Sequence, residues 1–365
     1  MNGWIEIACD LAARGEDFVI VTIAAVRGSA PREPGARMIV TRMAAADTIG
    51  GGNLEAACVE RARALLDGAP SASGQLVRFP LGPGFGQCCG GVATILFERV
   101  LPEHAAWLSA LKAHARAGEP CVVVTGAEGC RAGAKLVLAR DACAATLGDP
   151  GLDAQAIVQA RQILGRERSE PRLLAIEATD KPAVVFVEPV WPADMTVVLF
   201  GAGHVGRALV NVLADVDCRV TWVDPRADAF PARLPANARK VVAHAPELEV
   251  DRAPAGAYFL LMTHSHPLDF ELCERILKRG NFAYLGLIGS VPKRNRFMKY
   301  LKREGVSDAA LARLTCPIGV AGITGKRPAT IALAVAAQLL QVREAAAPAA
   351  QPAVADAASG RKGTA

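Results

Sequence analysis

The sequence predicts an α/β protein, with an N-terminal mixed α/β domain over residues 1–190 and a C-terminal, Rossmann-like domain with a doubly wound parallel sheet over residues 196–342. Three observations carry this prediction. Apolar strands alternate regularly with helical segments after residue 196, which is typical of a parallel sheet covered by helices. The glycine pattern GAGHVG (201–206) follows the first of these strands and opens a helix. Upstream, short strands are separated by glycine- and proline-rich loops, and EPVWPADM (188–195) marks the boundary.

The N-terminal elements follow from short apolar runs and their breakers. An amphipathic helix is expected over residues 4–14 because Gly15 ends its pattern. The strand FVIVTIAAV (18–26) is expected to pair with ARMIVT (36–41) across a glycine- and proline-rich loop. Asn53 is expected to cap a helix that runs to about Leu66. A further helix is expected near residues 103–117, and further strands over residues 92–100, 121–126 and 183–190.

The C-terminal elements follow from a β–α alternation. Its strands are expected over residues 196–203, 218–225, 240–244, 257–264 and 283–290, and its first helix over residues 204–215. The tail over residues 345–365 is rich in Ala and Pro and has almost no large apolar residue, which predicts disorder.

Composition excludes several classes of protein. The 41 basic residues exceed the 36 acidic ones by only +5, and no basic run is interleaved with aromatic residues, so a nucleic-acid partner is not expected. The start of the chain lacks the basic and apolar regions of a signal peptide, and IALAVAAQLL (331–340) is too short to span a bilayer, so no membrane association is expected. Ten cysteines without a regular framework or any C-x-x-C motif indicate reduced thiols and a cytoplasmic protein.

The glycine pattern at 201–206 is a candidate phosphate site. Gly201, Gly203 and Gly206 let backbone N–H groups approach a phosphate at the start of the helix, where His204 is the first residue. Asp224 ends the next strand, at the position that accepts hydrogen bonds from ribose hydroxyls. The pattern predicts the fold; whether a nicotinamide cofactor binds there stays open.

Two further motifs follow predicted strands. THSHPLDF (263–270) places His264 and His266 at the carboxyl end of a central strand, either as contacts to a polar ligand, as metal ligands, or as the start of a helix. The loop in CPIGVAGITGKRPATIAL (316–333) fails the Walker pattern, yet its glycines, Lys326 and Arg327 form either an anion cradle or a solvated basic loop.

The N-terminal domain carries three loops that are candidates for binding. The first contains Arg27, Ser29, Arg32 and Arg37, the second is IGGG (49–52), and the third is GFGQCCGGV (84–92); three ordinary hairpin connections are the alternative. In the third loop, Cys88 and Cys89 lie between glycines, where a reactive thiol, a metal ligand and an ordinary turn are all compatible with the sequence. A disulfide between adjacent cysteines would be strained.

Taken together, these motifs resemble the xanthine dehydrogenase accessory proteins, whose broader family also serves carbon monoxide dehydrogenase maturation. The matching stretches span about residues 20–342 and occur in the same order; they are VRGSAPREPGARMIV, IGGGNLE, GQCCGGV, FGAGHVGRAL, VDPR, THSHPLD, GLIGS and PIGVAGITGKRPATIALAVAAQLL. The forms IGGG, QCCGG and GITGK resemble the branch that acts on xanthine dehydrogenase.

The resemblance implies a maturation factor rather than a metabolic enzyme. Such proteins bind molybdenum cofactor (molybdopterin), hold it during sulfuration and deliver it to apo-xanthine dehydrogenase. Expected partners are the molybdenum-binding subunit of the dehydrogenase, a cysteine desulfurase and a second copy of the chain. The resemblance makes Cys89, directly before Gly90 and Gly91, the first choice for a thiol contact to the cofactor and Cys88 the second; contact to molybdenum, receipt of sulfur as a persulfide and a purely structural role all stay open. The full set of candidate cofactor-binding residues is Cys89, Cys88, Gly90, Gly91, Ser29, Arg32, Gly201, Gly203, His204, Gly206, Asp224, His264, His266 and Lys326.

Two other classes of function compete with this one. An NAD(P)-dependent oxidoreductase would use GAGHVG and Asp224, although no convincing proton donor accompanies them beyond His264 and His266. A metal-dependent hydrolase would use the THSHPLD stretch, although its spacing and the six histidines of the chain are poorly suited to a dinuclear site.

Overall fold

The structure is a computed structural model that describes residues 3–68, 74–82, 90–140, 142–165, 169–177, 182–193 and 195–346. The chain divides into two compact units, Met1–Pro192 and Ala193–Ala365. The predicted disorder of the tail falls almost entirely on residues outside the described ranges, since the last helix extends to Ala346. Cys88 and Cys89 also lie outside the described residues.

The first unit contains two copies of one topology. The first copy consists of α1 (Gly3–Ala13), β1 (Phe18–Arg27), β2 (Arg37–Val40), β3 (Ala45–Asp47), α2 (Gly52–Asp67), β4 (Gly74–Pro80) and β5 (Val92–Val100). The second copy consists of α3 (Ala106–Ala117), β6 (Cys121–Glu128), β7 (Lys135–Leu138), β8 (Cys143–Thr146), α4 (Pro150–Leu164), β9 (Arg172–Glu177) and β10 (Pro182–Val190). Each copy forms an antiparallel five-stranded sheet, ordered β3-β2-β1-β5-β4 and β8-β7-β6-β10-β9, so the unit is an internal repeat.

Strand register confirms the equivalence of the two copies. In the first copy Thr22 pairs with Arg37, and in the second Thr125 pairs with Lys135 at the same place in the sheet. The turn before the second helix of each copy also matches. Thr48 donates to Glu55 in the first copy, and Thr146 donates to Asp153 at the equivalent positions of the second. We refer to residues 3–100 as the first repeat and residues 106–190 as the second repeat.

Successive side chains along each strand point to opposite faces of the sheet, and both faces are packed against helices. In β1, Val19, Val21 and Ile23 face α2, while Phe18 and Ile20 face a core that includes both α1 and α3. This alternation is the period of two that a strand buried on both faces requires. The core around α1 and α3 draws on both repeats, whereas α2 and α4 each cover the outer face of their own sheet.

Two buried ion pairs connect the repeats reciprocally. Arg37 of the first repeat bonds Glu188 of the second, and Lys135 of the second repeat bonds Glu98 of the first. Each cation also lies over a tryptophan of its own repeat: the Arg37 Cζ is 4.3 Å from the ring centroid of Trp4, and Lys135 stands over the equivalent ring. Because each charge is neutralised by the other repeat, the two sheets are held in one mutual arrangement.

The second unit is a doubly wound parallel sheet. Its strands are β11 (Met195–Phe200), β12 (Cys218–Asp224), β13 (Ala238–Val242), β14 (Ala257–Leu261), β15 (Phe282–Leu287) and β16 (Leu314–Thr315), ordered β13-β12-β11-β14-β15-β16. Its helices are α5 (His204–Val212), α6 (Glu247–Arg252), α7 (His266–Arg279), α8 (Val291–Arg303), α9 (Asp308–Leu311) and α10 (Pro328–Ala346). Separate apolar clusters cover the two faces of the sheet, which confirms the predicted Rossmann-like fold.

Local details depart from the sequence prediction at two places. The expected capping role of Asn53 is wrong, because α2 begins at Gly52, the last of three successive glycines with positive φ, and Gly51 occupies the cap. The short strand β16 was not predicted, because two residues carry no readable periodicity. In the part of the chain that the structure describes, no helix has the length and apolar character that crossing a bilayer requires.

Candidate functional site

Three loops of the first repeat lie against one another at one edge of its sheet. A β-carbon at Gly91 would overlap the carbonyl oxygen of Ser29, and one at Gly28 would lie 3.1 Å from the Cα of Gly91. A β-carbon at Gly50 would overlap the side chain of Pro31. Loops 28–35 and 90–91 therefore meet backbone to backbone, and loop 49–52 packs against the side chain of Pro31; we call this surface, formed by the loops 28–35, 49–52 and 90–91, the glycine-loop edge.

Glu55 shapes the part of this edge that precedes α2. Its Oε2 accepts hydrogen bonds from the backbone N–H groups of Ile49 and Gly51, each at 3.1 Å, in addition to the Thr48 hydroxyl. Gly50, Gly51 and Gly52 all have positive φ, a backbone conformation that favours glycine. The turn is thus held by one carboxylate, and a β-carbon at Gly51 would meet no heavy atom within 4 Å.

The arginines at this edge differ in how accessible their guanidinium groups are to a ligand. Arg27 and Ser29 are exposed, and Arg32 is half-buried beside Glu33, with 3.3 Å between Nη2 and Oε1. Arg37, at the end of the same loop, is buried; its Nε donates to the carbonyl of Gly35 at 3.2 Å and its guanidinium bonds the second repeat. Arg37 therefore anchors the loop, whereas Arg27 and Arg32 face the surface.

The second repeat forms the same sheet with shorter connections between equivalent strands. Its β6–β7 connection covers residues 129–134, compared with 28–36 in the first repeat. Its β9–β10 connection covers residues 178–181, compared with 81–91 in the first repeat. The Thr–carboxylate turn is kept in both copies, so the extra length of the connections in the first repeat is not needed to form this fold.

The thiols of the described residues range from fully buried to exposed. Cys58 lies in the core beneath α2 and is fully buried. Burial raises the pKa of its thiol to about 12, so Cys58 is unreactive near neutral pH. Cys143 is exposed on β8 of the second repeat. The candidates Cys88 and Cys89 fall outside the described residues, while Gly90 beside them is exposed and Gly91 is buried.

In the second unit, the glycine loop after β11 has the close packing that its motif predicts. Gly201 has φ +112°, and a β-carbon there would overlap the carbonyl of Met262, the residue directly after the neighbouring strand β14. A β-carbon at Gly206 would overlap the carbonyl of Gly201. Gly203 and His204 are exposed, and a β-carbon at Gly203 would meet nothing within 4 Å. The start of α5 is therefore open at the point where the strand order reverses.

Asp224 ends β12 beside this loop and is almost fully buried. Its Oδ2 accepts from the backbone N–H of Ala202 at 2.7 Å and from Arg226 Nη2 at 2.9 Å. Its Oδ1 accepts from both the backbone N–H and Nε of Arg226, each at 2.9 Å. Burial would raise the pKa of Asp224, but these hydrogen bonds outweigh it and hold the pKa below its usual value. Arg226 was not singled out in the sequence, although it stands two residues beyond the acidic position.

The THSHPLD stretch lies at the carboxyl end of β14, a central strand of this sheet. Ser265 caps α7, and the buried Asp269 accepts from Thr263 Oγ1 at 2.7 Å and from Lys293 Nζ at 2.8 Å. His264 and His266 are both exposed. Asp269 is thus committed to a structural ion pair, and no group of three His, Cys, Asp or Glu side chains with metal-binding geometry occurs among the residues that the structure describes.

The loop before α10 also lies at the carboxyl edge of the sheet. Residues 321–329 are exposed, including Lys326 and Arg327, and Gly322 has φ +89°. Cys316, at the start of this loop, is buried beside Gly289. Lys326 therefore stands at the same edge as Gly203 and His264, although on a separate loop.

Comparisons with known proteins match both units. A model described as the XdhC Rossmann domain matches residues 197–339, and one described as the XdhC and CoxI family matches residues 11–80. A solved structure described as a xanthine dehydrogenase from Bacillus halodurans is 22% identical, with a TM-score of 0.68, and the match covers 95% of this chain and 98% of that one. The uncharacterized protein YqeB of Escherichia coli K12 is 28% identical over 147 residues, which are 40% of this chain. The match spans only 27% of the length of that curated relative.

Proposed function

Because this chain belongs to the XdhC and CoxI family, we propose that it serves xanthine dehydrogenase maturation as a carrier of molybdenum cofactor. In this role the chain binds the cofactor, holds it during sulfuration by a cysteine desulfurase, and delivers it to the molybdenum-binding subunit of the apo-dehydrogenase. Family membership supports the maturation role; the carrier steps and the partners are our proposal. The protein then has a cargo rather than a substrate that it turns over.

The observation that carries this proposal is the difference between the two repeats. Both form the same five-stranded sheet, but nine residues (28–36) separate β1 from β2 where six (129–134) separate β6 from β7, and eleven residues (81–91) separate β4 from β5 where four (178–181) separate β9 from β10. The short connections of the second repeat support an equivalent sheet, so the loops of the first repeat are additions to the fold. Added loops on a rigid sheet are where binding residues concentrate in proteins.

The chemistry of the glycine-loop edge suits the cargo. Molybdopterin carries a phosphate and a soft dithiolene-bound metal, and anions bind at exposed backbone N–H groups near helix starts and beside cations. Gly52 is exposed and begins the sixteen-residue helix α2, and Arg27 and Arg32 supply positive charge on the adjoining loop. A thiolate is a fitting ligand for a soft metal, which keeps Cys89 as the proposed contact to molybdenum.

The test is to purify the full chain anaerobically from cells that make the cofactor and to assay the released pterin. We expect about one pterin for each chain of the wild-type protein. The amount of pterin that the protein retains should fall in Cys89→Ala. Cys143→Ala is the matched control, because it removes an exposed thiol from the second repeat. Absence of pterin from the wild-type protein would contradict the carrier role. Equal retention in the two variants would leave the carrier role intact and remove Cys89 from it.

A further inference from the structure

The second unit holds a position that distinguishes nucleotides, at the carboxyl end of β12. In dinucleotide-binding folds an acidic side chain at this position accepts hydrogen bonds from the ribose 2′-hydroxyl, whereas a nearby arginine accommodates a 2′-phosphate instead. In this protein the acidic side chain is Asp224 and the arginine is Arg226. The contacts of these two residues decide whether the position can bind a ribose 2′-hydroxyl or a 2′-phosphate.

Asp224 has no remaining capacity to bind a ribose. A carboxylate offers about four lone-pair positions. In Asp224 they accept from the backbone N–H of Ala202 and from three N–H groups of Arg226, at distances of 2.7 to 2.9 Å. Only 3% of Asp224 is exposed. A ribose diol would therefore have to displace both the guanidinium and a bond that holds the glycine loop.

Arg226, unlike Asp224, is exposed and retains N–H groups that can donate to a ligand. Its side chain is 49% exposed, and its Nη1 makes no hydrogen bond within the described part of the chain. Arg207 adds a second guanidinium close by, since its Nη2 donates to the carbonyl of Ala229 at 3.0 Å, three residues beyond Arg226. Asp228 is an exposed acidic neighbour and affects Arg226 less than the bonded Asp224 does. A planar guanidinium with free N–H groups is a preferred partner of phosphate.

The surrounding crevice is compatible with a dinucleotide. The β-carbon positions of Gly201 and Gly206 are blocked by backbone, which is the close packing that a dinucleotide loop requires, while Gly203 is open to a pyrophosphate at the start of α5. The residues thus fit the phosphates of a dinucleotide but not an unmodified adenosine ribose. The crevice thus departs from an NAD-binding site at one position, the end of β12.

We propose that the second unit binds a nucleotide that carries a phosphate on its ribose, of the NADPH type, and that Arg226 selects it over the NADH type. Asp224 orients Arg226 and the glycine loop, and is a positioning residue rather than a ribose ligand. This binding site is independent of the cargo proposed for the first unit, so either proposal can fail without the other.

The test compares NADPH and NADH by fluorescence titration of the full chain, with 2′,5′-ADP and 5′-AMP as competitors. One charge-assisted contact to the 2′-phosphate gives NADPH about tenfold tighter binding or more. Arg226→Gln should abolish that preference, and Arg226→Lys should keep part of it because the charge remains but the planar fork is lost. The control is Arg275→Gln on α7, which removes a guanidinium that pairs in the same two-point manner with Asp251.

The outcomes separate clearly. Tighter binding of NADPH, better competition by 2′,5′-ADP than by 5′-AMP, and an unchanged preference in Arg275→Gln support the proposal. Equal binding of the two dinucleotides, tighter binding of NADH, or no saturable binding of either at millimolar concentration overturns it. If Arg226→Gln fails to fold, the wild-type preference and the Arg226→Lys variant still decide the question.

Discussion

The reciprocal ion pairs between the repeats allow a quantitative test of how the first unit is held together. The pair of Lys135 and Glu98 is the better probe, because the two side chains are only 7% and 4% exposed. Lys135 also donates to Thr125 Oγ1 at 2.8 Å and stands 4.8 Å from the ring centroid of Trp107. Loss of the lysine therefore leaves a buried carboxylate with no compensating charge.

The size of the effect follows from burial. Removing one partner of a buried pair costs about 3–5 kcal/mol, whereas replacing both by apolar side chains of similar volume is often neutral. The hydroxyl of Thr125 also loses its donor, but Thr22 at the equivalent place has no hydrogen-bond partner among the described residues, so the fold tolerates that loss. We expect Lys135→Met to lower the free energy of unfolding of the first unit by about 3–5 kcal/mol. The double variant with Glu98→Met should lie within about 2 kcal/mol of the wild type.

Urea unfolding followed by tryptophan emission measures this change. The Trp222→Phe background restricts emission to the tryptophans of the first unit, because Trp222 is the tryptophan of the second. With an m-value of about 2 kcal/mol/M, Lys135→Met should lower the midpoint by roughly 1.5–2.5 M. Arg14→Met is the control, since Arg14 belongs to an exposed pair and should change stability by less than about 1 kcal/mol. A single variant as stable as this control, or a double variant as unstable as the single one, would refute the argument.

Two further predictions concern carboxylates of the first unit. Glu55→Ala and Asp153→Ala should each lower the free energy of unfolding by about 1–3 kcal/mol, because equivalent turns lose their acceptor, but only Glu55→Ala should reduce pterin retention. Equal retention in both would contradict the placement of the cargo. Asp17 accepts from Arg42 and Arg99, and the Arg42 hydrogen bond above all lowers its pKa. Since the folded pKa lies below the unfolded one, this stabilisation is complete above about pH 4 and is lost as the pH falls through the folded pKa. Acid unfolding should thus be shallower in Asp17→Asn, and an unchanged slope would count against the ion pair.

The Rossmann-like unit was predictable because its signals are local. The glycine pattern at 201–206 requires close backbone approaches that only glycine allows, and the structure places Gly201 and Gly206 in such contacts. Buried parallel strands also read as continuous apolar runs, so β11, β12 and β14 were recognisable. The state of Asp224 was not predictable, because its saturation by Arg226 depends on a side-chain conformation that no spacing encodes.

The internal repeat was not visible in the sequence. The two copies match in the pairing of their strands, whereas the residues at equivalent positions are of different types. Arg37 corresponds to Lys135 and Glu55 to Asp153, so matched positions keep charge or hydrogen-bonding capacity while the residue type changes. Loops of different length also shift the spacing between matched elements. An arginine after a glycine loop reads as a surface residue, and only the strand pairing shows that Arg37 points into the interface between the sheets.

The repeat gives a physical reason why one copy can carry binding loops. The core around α1 and α3 draws apolar side chains from both copies, and each copy neutralises the buried cation of the other. A single copy would expose that core and leave Arg37 or Lys135 without its partner. Gly28 and Gly50 have positive φ, the backbone conformation that favours glycine, and so do Gly129 and Gly148 of the second repeat, so both copies use glycine where their turns require it. The first repeat therefore differs from the second in the length of its connections, and because the shared core and the reciprocal ion pairs hold both sheets, that extra length is not needed for folding.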